Sequence, residues 1–334
     1  MHDLLIIKTK LRDFKKLQVN IRFYKALGVD CVLIKALDKL NEKEINELLA
    51  INETYSKQGI GLILSLDIDE LMPKLLGKTG IKYNFSNPKI RKSFYHFLAY
   101  LIKYGIGGFY LLGLENLAPS PNKLIEFIRE LNKNTFFNKK ILSLGEIKAA
   151  KKTLLALGNP NISTLSMVRP KGGIRDLFEL SIDFDQVKSG LCLGPDNFIN
   201  QEINFQNYPQ SGKRLVFMIL FFLKASFYIE ESFLDFEDVR FLRKLFLLKN
   251  KIKRLSKINR ILPKEKDILA FTREGEGAKV VFLANLTEKE VLLDLAFKVM
   301  DYKDYEFLEG SLTHRTLYRT IILRPYEAVA FEKL

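Results

Sequence analysis

The strongest constraint on this chain is a repeated alternation. Over residues 1–230, short apolar runs take turns with amphipathic stretches. The runs are Leu4–Lys8, Cys31–Ala36, Gly61–Asp67, Gly108–Leu114, Lys140–Glu146, Thr164–Val168 and Ser226–Glu230, and helical spacing covers 12–27, 41–58, 88–104, 121–133, 147–157 and 211–225. A run without polar alternation suits a parallel strand buried on both faces. Strand–helix units joined by short connections suit an α/β barrel or a doubly wound sheet. Helix starts agree with this reading. Asn87 before Pro88 is an N-cap followed by the residue that tolerates only a first turn, and "APSPNKLIEF" opens the next helix with Ser and Pro. Across 169–205 the pattern dissolves into Gly, Asn and Asp, so a helix expected there is short or missing.

From residue 262 the period changes from helical to alternating. "DILAFTREGEGAKVVFLANLTEKEVLLDL" reads as strands around a Glu-Gly turn, and "TIILRPYEAVAFEKL" as a strand pair broken at Pro325. A helix over 236–257 leads into this part. A chain of 334 residues holds one large core and a small second one, since single cores rarely exceed about 250–300 residues. The expected division is 1–260 and 261–334.

Composition narrows the function classes. The longest apolar run, Leu215–Leu223, stops at Lys224, well short of the roughly 18–20 residues that cross a bilayer. The N-terminal "MHDLLIIKTK" carries Asp3 and lacks both a long apolar core and a small-residue cleavage site, so a cytoplasmic location is expected. Cys31 and Cys192 stand far apart, with neither CxxC nor a Cys/His group, which speaks against a disulfide framework or a zinc site. The net charge of +14 raises the question of nucleic acid, but the lysines are spread over the whole chain. The densest cluster, "LLKNKIKRLSKINR" (247–260), has the spacing of one solvated helix face. No nucleic-acid partner is expected.

Five stretches, in order, resemble glycoside hydrolase family 13, the α-amylase family, and within it the oligo-1,6-glucosidase, dextran glucosidase and trehalose-6-phosphate hydrolase branch. "LGVDCVLIKAL" (27–37) is similar to the second-strand segment and "YSKQGIGLILSLDIDE" (55–70) to the region ending in an Asn-His pair. "YNFSNPKIRKSFYHFLAYLIKYGIGGFYLLGLENL" (83–117) is similar to the segment running into the Gly-x-Asp-Gly-Phe-Arg-x-Asp nucleophile strand. "KLIEFIRELNKNTFFNKKILSLGEI" (123–147) resembles the helix and strand that deliver the acid/base glutamate, and "KVVFLANLT" with "LRPYEAVAF" the C-terminal β-domain. The resemblance implies an α/β fold: a (β/α)8 TIM barrel over 1–260 with most of the inserted lid domain trimmed to roughly Glu70–Asn87, then an antiparallel β-sandwich over 261–334. No cofactor and no metal are expected.

That family's retaining mechanism needs two carboxyl groups about 5–5.5 Å apart, one attacking the anomeric carbon and one protonating the leaving oxygen. Carried over position by position, the acid/base falls on Glu146 and the nucleophile on Leu112. The orienting arginine falls on Tyr110, and the aspartate inside the glycine frame on Gly107, beside a retained Gly108. The Asn-His pair falls on Asp69-Glu70, and the later Asn-His-Asp on Asn207-Tyr208-Pro209, where the third acid becomes Pro209. His2, His96 and His314 match none of the sugar-binding histidines. A leucine has no lone pair with which to attack, so the resemblance implies lost hydrolysis.

The remaining candidates each have two readings. Glu146 reads as a surviving acid or as an ion-paired strand end. Asp67 and Asp69, placed on one face at the end of the third strand, suit a sugar hydroxyl or a cation, or simply solvent. Tyr110, Tyr208 and Tyr228 stack on a sugar or fill the emptied pocket. Strand alternation turns Glu115 away from Leu112. "GLENL" (113–117) is also similar to the non-hydrolytic heavy chains of heteromeric amino-acid transporters, a precedent for the fold as an interaction body. The expectation is an α-glucosidase-like pseudoenzyme of carbohydrate metabolism that binds an oligosaccharide or a protein partner. The alternative is a weak α-1,6- or α-1,4-glucosidase using Glu146 with an acid from Asp67, Asp69 or Glu115.

Overall fold

The computed structural model describes residues 5–9, 14–35, 42–77, 85–113, 120, 122–123, 126–127, 130, 141–144, 163–167, 190–193, 209–223, 226–261, 267–295, 302–312 and 315–333. Eight parallel strands pair in chain order: β1 (Leu5–Thr9), β2 (Cys31–Lys35), β3 (Gly61–Asp67), β4 (Gly108–Leu112), β5 (Ile141–Leu144), β6 (Ser163–Met167), β7 (Gly190–Leu193) and β8 (Ser226–Glu230). Pairing of β8 with β1 closes the barrel. Helices α1 (Phe14–Leu27) and α2 (Glu42–Lys57) precede β2 and β3, while α3 (Ile68–Leu76) and α4 (Pro88–Lys103) lie between β3 and β4.

Seven of these strands coincide with the apolar runs of the sequence. The eighth, β7, comes from "GLCL", inside the stretch where the pattern dissolves. Helix α3 was not expected. It starts at once after β3 because the Asp67 side chain accepts the backbone N–H of Asp69, and it stops at Gly77, whose left-handed φ of 63° favours glycine. The expected cap of α4 is present, with Asn87 Oδ1 accepting from the Lys89 N–H and Pro88 in the first turn. The expected helix 147–157 lies outside the described residues.

The barrel strands with α1–α4 make one structural unit. A second unit carries α5 (Pro209–Phe222), α6 (Phe236–Leu247), α7 (Lys249–Lys253) and the C-terminal strands. The helix expected over 236–257 is therefore two helices, interrupted at Leu248. The basic cluster 247–260 is not one helical face, because Lys257–Arg260 form strand β9. At the start of α6, Asp235 accepts from the Asp238 N–H at 2.8 Å and Asp238 accepts from the Asp235 N–H at 3.1 Å, a reciprocal cap. The fully buried Asp238 also takes Lys213 Nζ at 3.0 Å.

Strands β10 (Ile268–Gly275), β11 (Ala278–Asn285), β12 (Val291–Asp294), β13 (Tyr305–Gly310), β14 (Thr320–Leu323) and β15 (Ala328–Lys333) complete the chain. They form an antiparallel sheet in the order β13-β15-β11-β10-β9, and a two-stranded ribbon of β12 and β14. Glu276-Gly277, both with positive φ, make the tight turn read from the sequence. One face of the sheet packs on the ribbon through Val281, Leu283, Val329 and Phe331 against Leu293, Ile321 and Leu323. The other face meets α5, where the Phe222 and Phe282 rings lie 5.2 Å apart.

Candidate functional site

Because side chains alternate along a strand, one set from each barrel strand points inward. The pairing Ile6↔Cys31, Leu33↔Ile63, Ser65↔Tyr110 and Ile6↔Tyr228 identifies that set, and these side chains form one buried cluster of Ile6, Cys31, Leu33, Ile63, Tyr110 and Tyr228. Among the described residues the interior is packed, as barrel interiors are. Above it, at the C-terminal strand ends where barrel enzymes carry their chemistry, the described inward positions are Lys8, Asp67, Leu112 and Glu230.

Leu112 ends β4 and packs against the cluster below it. Tyr110, two residues earlier on the same face, is 6% exposed, and Tyr228 is 5% exposed. Both rings belong to the buried cluster of the interior. Lys8 Nζ pairs with Glu230 Oε1 at 2.8 Å and stands 5.4 Å from the centroid of the Tyr228 ring. Both charged side chains keep part of their surface in water. Glu231, one residue on, turns outward and accepts from Asn20 Nδ2 at 2.6 Å. Burial, and then the Glu231 carboxylate, push the Tyr24 phenol behind it well above the usual tyrosine range, so it stays protonated.

Asp67 and Asp69 do not share a strand face. β3 ends at Asp67, whose Oδ1 is engaged at 3.0 Å as the cap of α3, and Asp69 belongs to the first turn of that helix, exposed like Glu70. The geometry of capping separates them. His96 is exposed on α4 and Cys31 is buried. Glu146, Glu115, Asn207, Tyr208, His2 and His314 lie outside the described residues, and Pro209 opens α5.

The glycine frame before β4 has a backbone cause. Gly105 has φ of 93°, and a Cβ there would stand 2.9 Å from Asn52 Nδ2. At Gly107 a Cβ would stand 3.1 Å from the Leu62 carbonyl, which accepts the Gly107 N–H at 3.0 Å.

The Lys8–Glu230 pair is the part of the mouth that motif reasoning missed. Its signal is in the sequence: "LLIIK" and "SFYIE" each end an apolar run on one charge, of opposite sign. Among the described residues, no group of His, Cys, Asp and Glu is arranged to hold a metal, and no helix is long and apolar enough to cross a membrane. A cleft of about 200 Å³ between the start of α4 and residues 123–130 is lined by charges that are paired, Arg91 with Glu130 at 3.4 Å and Lys123 with Glu126 at 2.7 Å.

A closed eight-stranded parallel barrel followed by an antiparallel C-terminal sheet is the fold of the glycoside hydrolase family 13 enzymes. Among solved structures the chain is similar to trehalose-6-phosphate hydrolase of Bacillus licheniformis, at 11% identity and a TM-score of 0.74 over 99% of each chain. It is similar to trehalulose synthase of Pseudomonas mesoacidophila, at 11% identity and 0.75 over 99% of this chain and 98% of that one. Isomaltulose synthase of Erwinia rhapontici follows at 11% identity and 0.76, over 98% of each. At such identities the likeness is one of fold. No protein-family model matches the sequence, and no curated protein is similar to it in sequence.

Proposed function

We propose that this chain is a cytoplasmic, glycosidase-fold protein of carbohydrate metabolism that binds an oligosaccharide at the mouth of its barrel and does not hydrolyse it. The observation that carries the reading is Leu112, the inward residue ending β4, packed on the apolar cluster beneath it. Retaining hydrolysis requires an oxygen there that can share an electron pair with the anomeric carbon, and a cation to orient it. A hydrocarbon provides no such pair, and Tyr110 supplies no positive charge. Support for a sugar ligand comes from Lys8 and Glu230, whose partly exposed polar ends can bond to hydroxyls, and from a structural neighbour, a mutant isomaltulose synthase of Erwinia rhapontici that was solved in complex with its natural substrate sucrose.

The test combines hydrolysis assays on aryl α-glucosides and isomaltose with calorimetric titration of isomaltose, trehalose and sucrose, using the purified chain and Glu146→Gln. Binding heat without turnover is the expected result. Turnover that disappears in Glu146→Gln would establish the weak glucosidase instead, with its second acid sought at Asp67, Asp69 or Glu115. Absence of both heat and turnover would overturn the sugar reading in favour of a protein-binding body.

A further inference from the structure

The β12–β14 ribbon has one face in the C-terminal core and one in solvent. Alternation along a half-buried ribbon places polar side chains outward. The inner pairs Val291↔Leu323 and Leu293↔Ile321 follow the rule, but the outer pair between them does not. Leu292 lies opposite Ile322, with 67% and 50% of their surfaces exposed. Tyr318, two residues before the start of β14, is 62% exposed. Leu292 and Ile322 thus stand side by side on a face that folding alone leaves wet, with the exposed Tyr318 just ahead of β14 in the chain.

The flanking charges are sorted by strand. In the outer row β12 carries Glu290 and Asp294 on either side of Leu292, and β14 carries Arg324 next to Ile322; Lys289 and Arg319 are exposed beside that row. Arg319 and Asp294 lie 3.7 Å apart at one end of the patch. A face with an acidic half, a basic half and an apolar centre is complementary to itself. When two such ribbons are related by a two-fold axis running along the strands in the plane of contact, β12 of each copy lies over β14 of the other. The register Leu292↔Ile322 then sets Leu292 of one copy on Ile322 of the second, and brings Glu290 toward Arg324. An isologous contact of this kind satisfies both copies equally.

We infer that the outer face of the β12–β14 ribbon is a self-association surface through which two copies of this chain pair face to face. The patch is small beside the roughly 1,200–2,000 Å² of a stable interface, so the dimer is weak, with a dissociation constant on the order of 10–100 µM.

Sedimentation equilibrium of the full chain between about 1 and about 300 µM tests this against that range. A concentration-dependent dimer is expected, weakened about tenfold or more by Leu292→Lys and by the milder Ile322→Thr, with thermal midpoints kept as control for folding. The decisive arm uses two charge variants. Glu290→Lys alone and Arg324→Glu alone each set like charges across the contact and remain monomeric, whereas their equimolar mixture restores opposite charges at both contacts and dimerises. A wild-type chain that stays monomeric throughout would overturn the inference. So would a dimer indifferent to Ile322→Thr, or a mixture that fails to associate.

Discussion

Lys8 Nζ lies 2.8 Å from Glu230 Oε1, tying the first barrel strand to the last at the mouth, while the same ammonium stands over the Tyr228 ring. The pair is partly in water, which screens its attraction and lightens its desolvation, so its net worth is modest. Glu230→Gln should lower the free energy of unfolding by about 1 kcal/mol, measured in urea, and Lys8→Met with Glu230→Leu should recover most of it. If Glu230→Gln removes sugar binding while the unfolding midpoint stays put, the carboxylate contacts ligand and not merely its neighbour.

Leu112→Asp restores a carboxylate at the end of β4. It places a charge on an apolar cluster without the orienting cation, so we expect a loss of about 2 kcal/mol in stability and no gain of glycoside turnover. Urea unfolding and an aryl α-glucoside assay on the same preparation check both halves. Turnover appearing with this one change would mean that the rest of the catalytic apparatus is intact.

Asp67 is a helix cap in this structure and a sugar-ligand candidate in the sequence. Asp67→Ala should cost about 1 kcal/mol and Asp67→Ser much less, because a hydroxyl also accepts the Asp69 N–H. Sugar titration separates the roles: equal affinity in wild type and Asp67→Ser fits the cap, and a loss in both variants fits a ligand contact.

The reciprocal cap of α6 has a pH signature. Burial raises the Asp238 carboxyl above its ordinary value of 3.8 despite the Lys213 bond, whereas the hydrogen bond from the Asp238 backbone N–H is the main cause holding Asp235 below 3.8. A carboxyl raised in the folded state binds its proton more tightly there, so stability linked to Asp238 is largest in acid and falls as pH rises from 3.8 through the raised value. Stability linked to Asp235 runs the other way, present above 3.8 and lost as pH falls through its lowered value. Urea unfolding across pH should therefore show Asp238→Asn gaining on wild type as pH rises above about 4, whereas Asp235→Asn loses ground only in more acid solution, as pH rises from the lowered value toward 3.8, and keeps a constant deficit above it. An Asp238→Asn deficit that grows with pH would show the Lys213 attraction outweighing burial.

Much of the barrel was legible because buried parallel strands leave an uninterrupted apolar run, as in "GLILSLD" and "GFYLL". β7 was not, because four residues beginning with glycine fall below any periodic signal. α3 was hidden for a different reason: its cap is the last residue of a strand, so Asp67 serves two elements and marks neither clearly. The lysines of 247–260 suggested one helix because charge spacing reports only exposure, and the solvated face continues from α7 into an edge strand. At the mouth, the resemblance found Leu112 and Tyr110, which occupy motif positions, but not Lys8 and Glu230, which meet only when β8 closes on β1. Glu146 and Tyr208 lie outside the described residues, and the Glu146→Gln variant tests the first of them.

The Arg273 guanidinium is 1% exposed and donates to the carbonyls of Leu255 at 3.0 Å and Phe222 at 3.2 Å, both upstream of the residue where the β-domain starts by sequence pattern. Any attempt to excise the C-terminal strands by cutting near residue 260 would strip those two acceptors from a cation inside an apolar layer and uncover Phe282. A fragment meant to survive on its own has to begin before Pro209, so that α5 travels with the strands it shields.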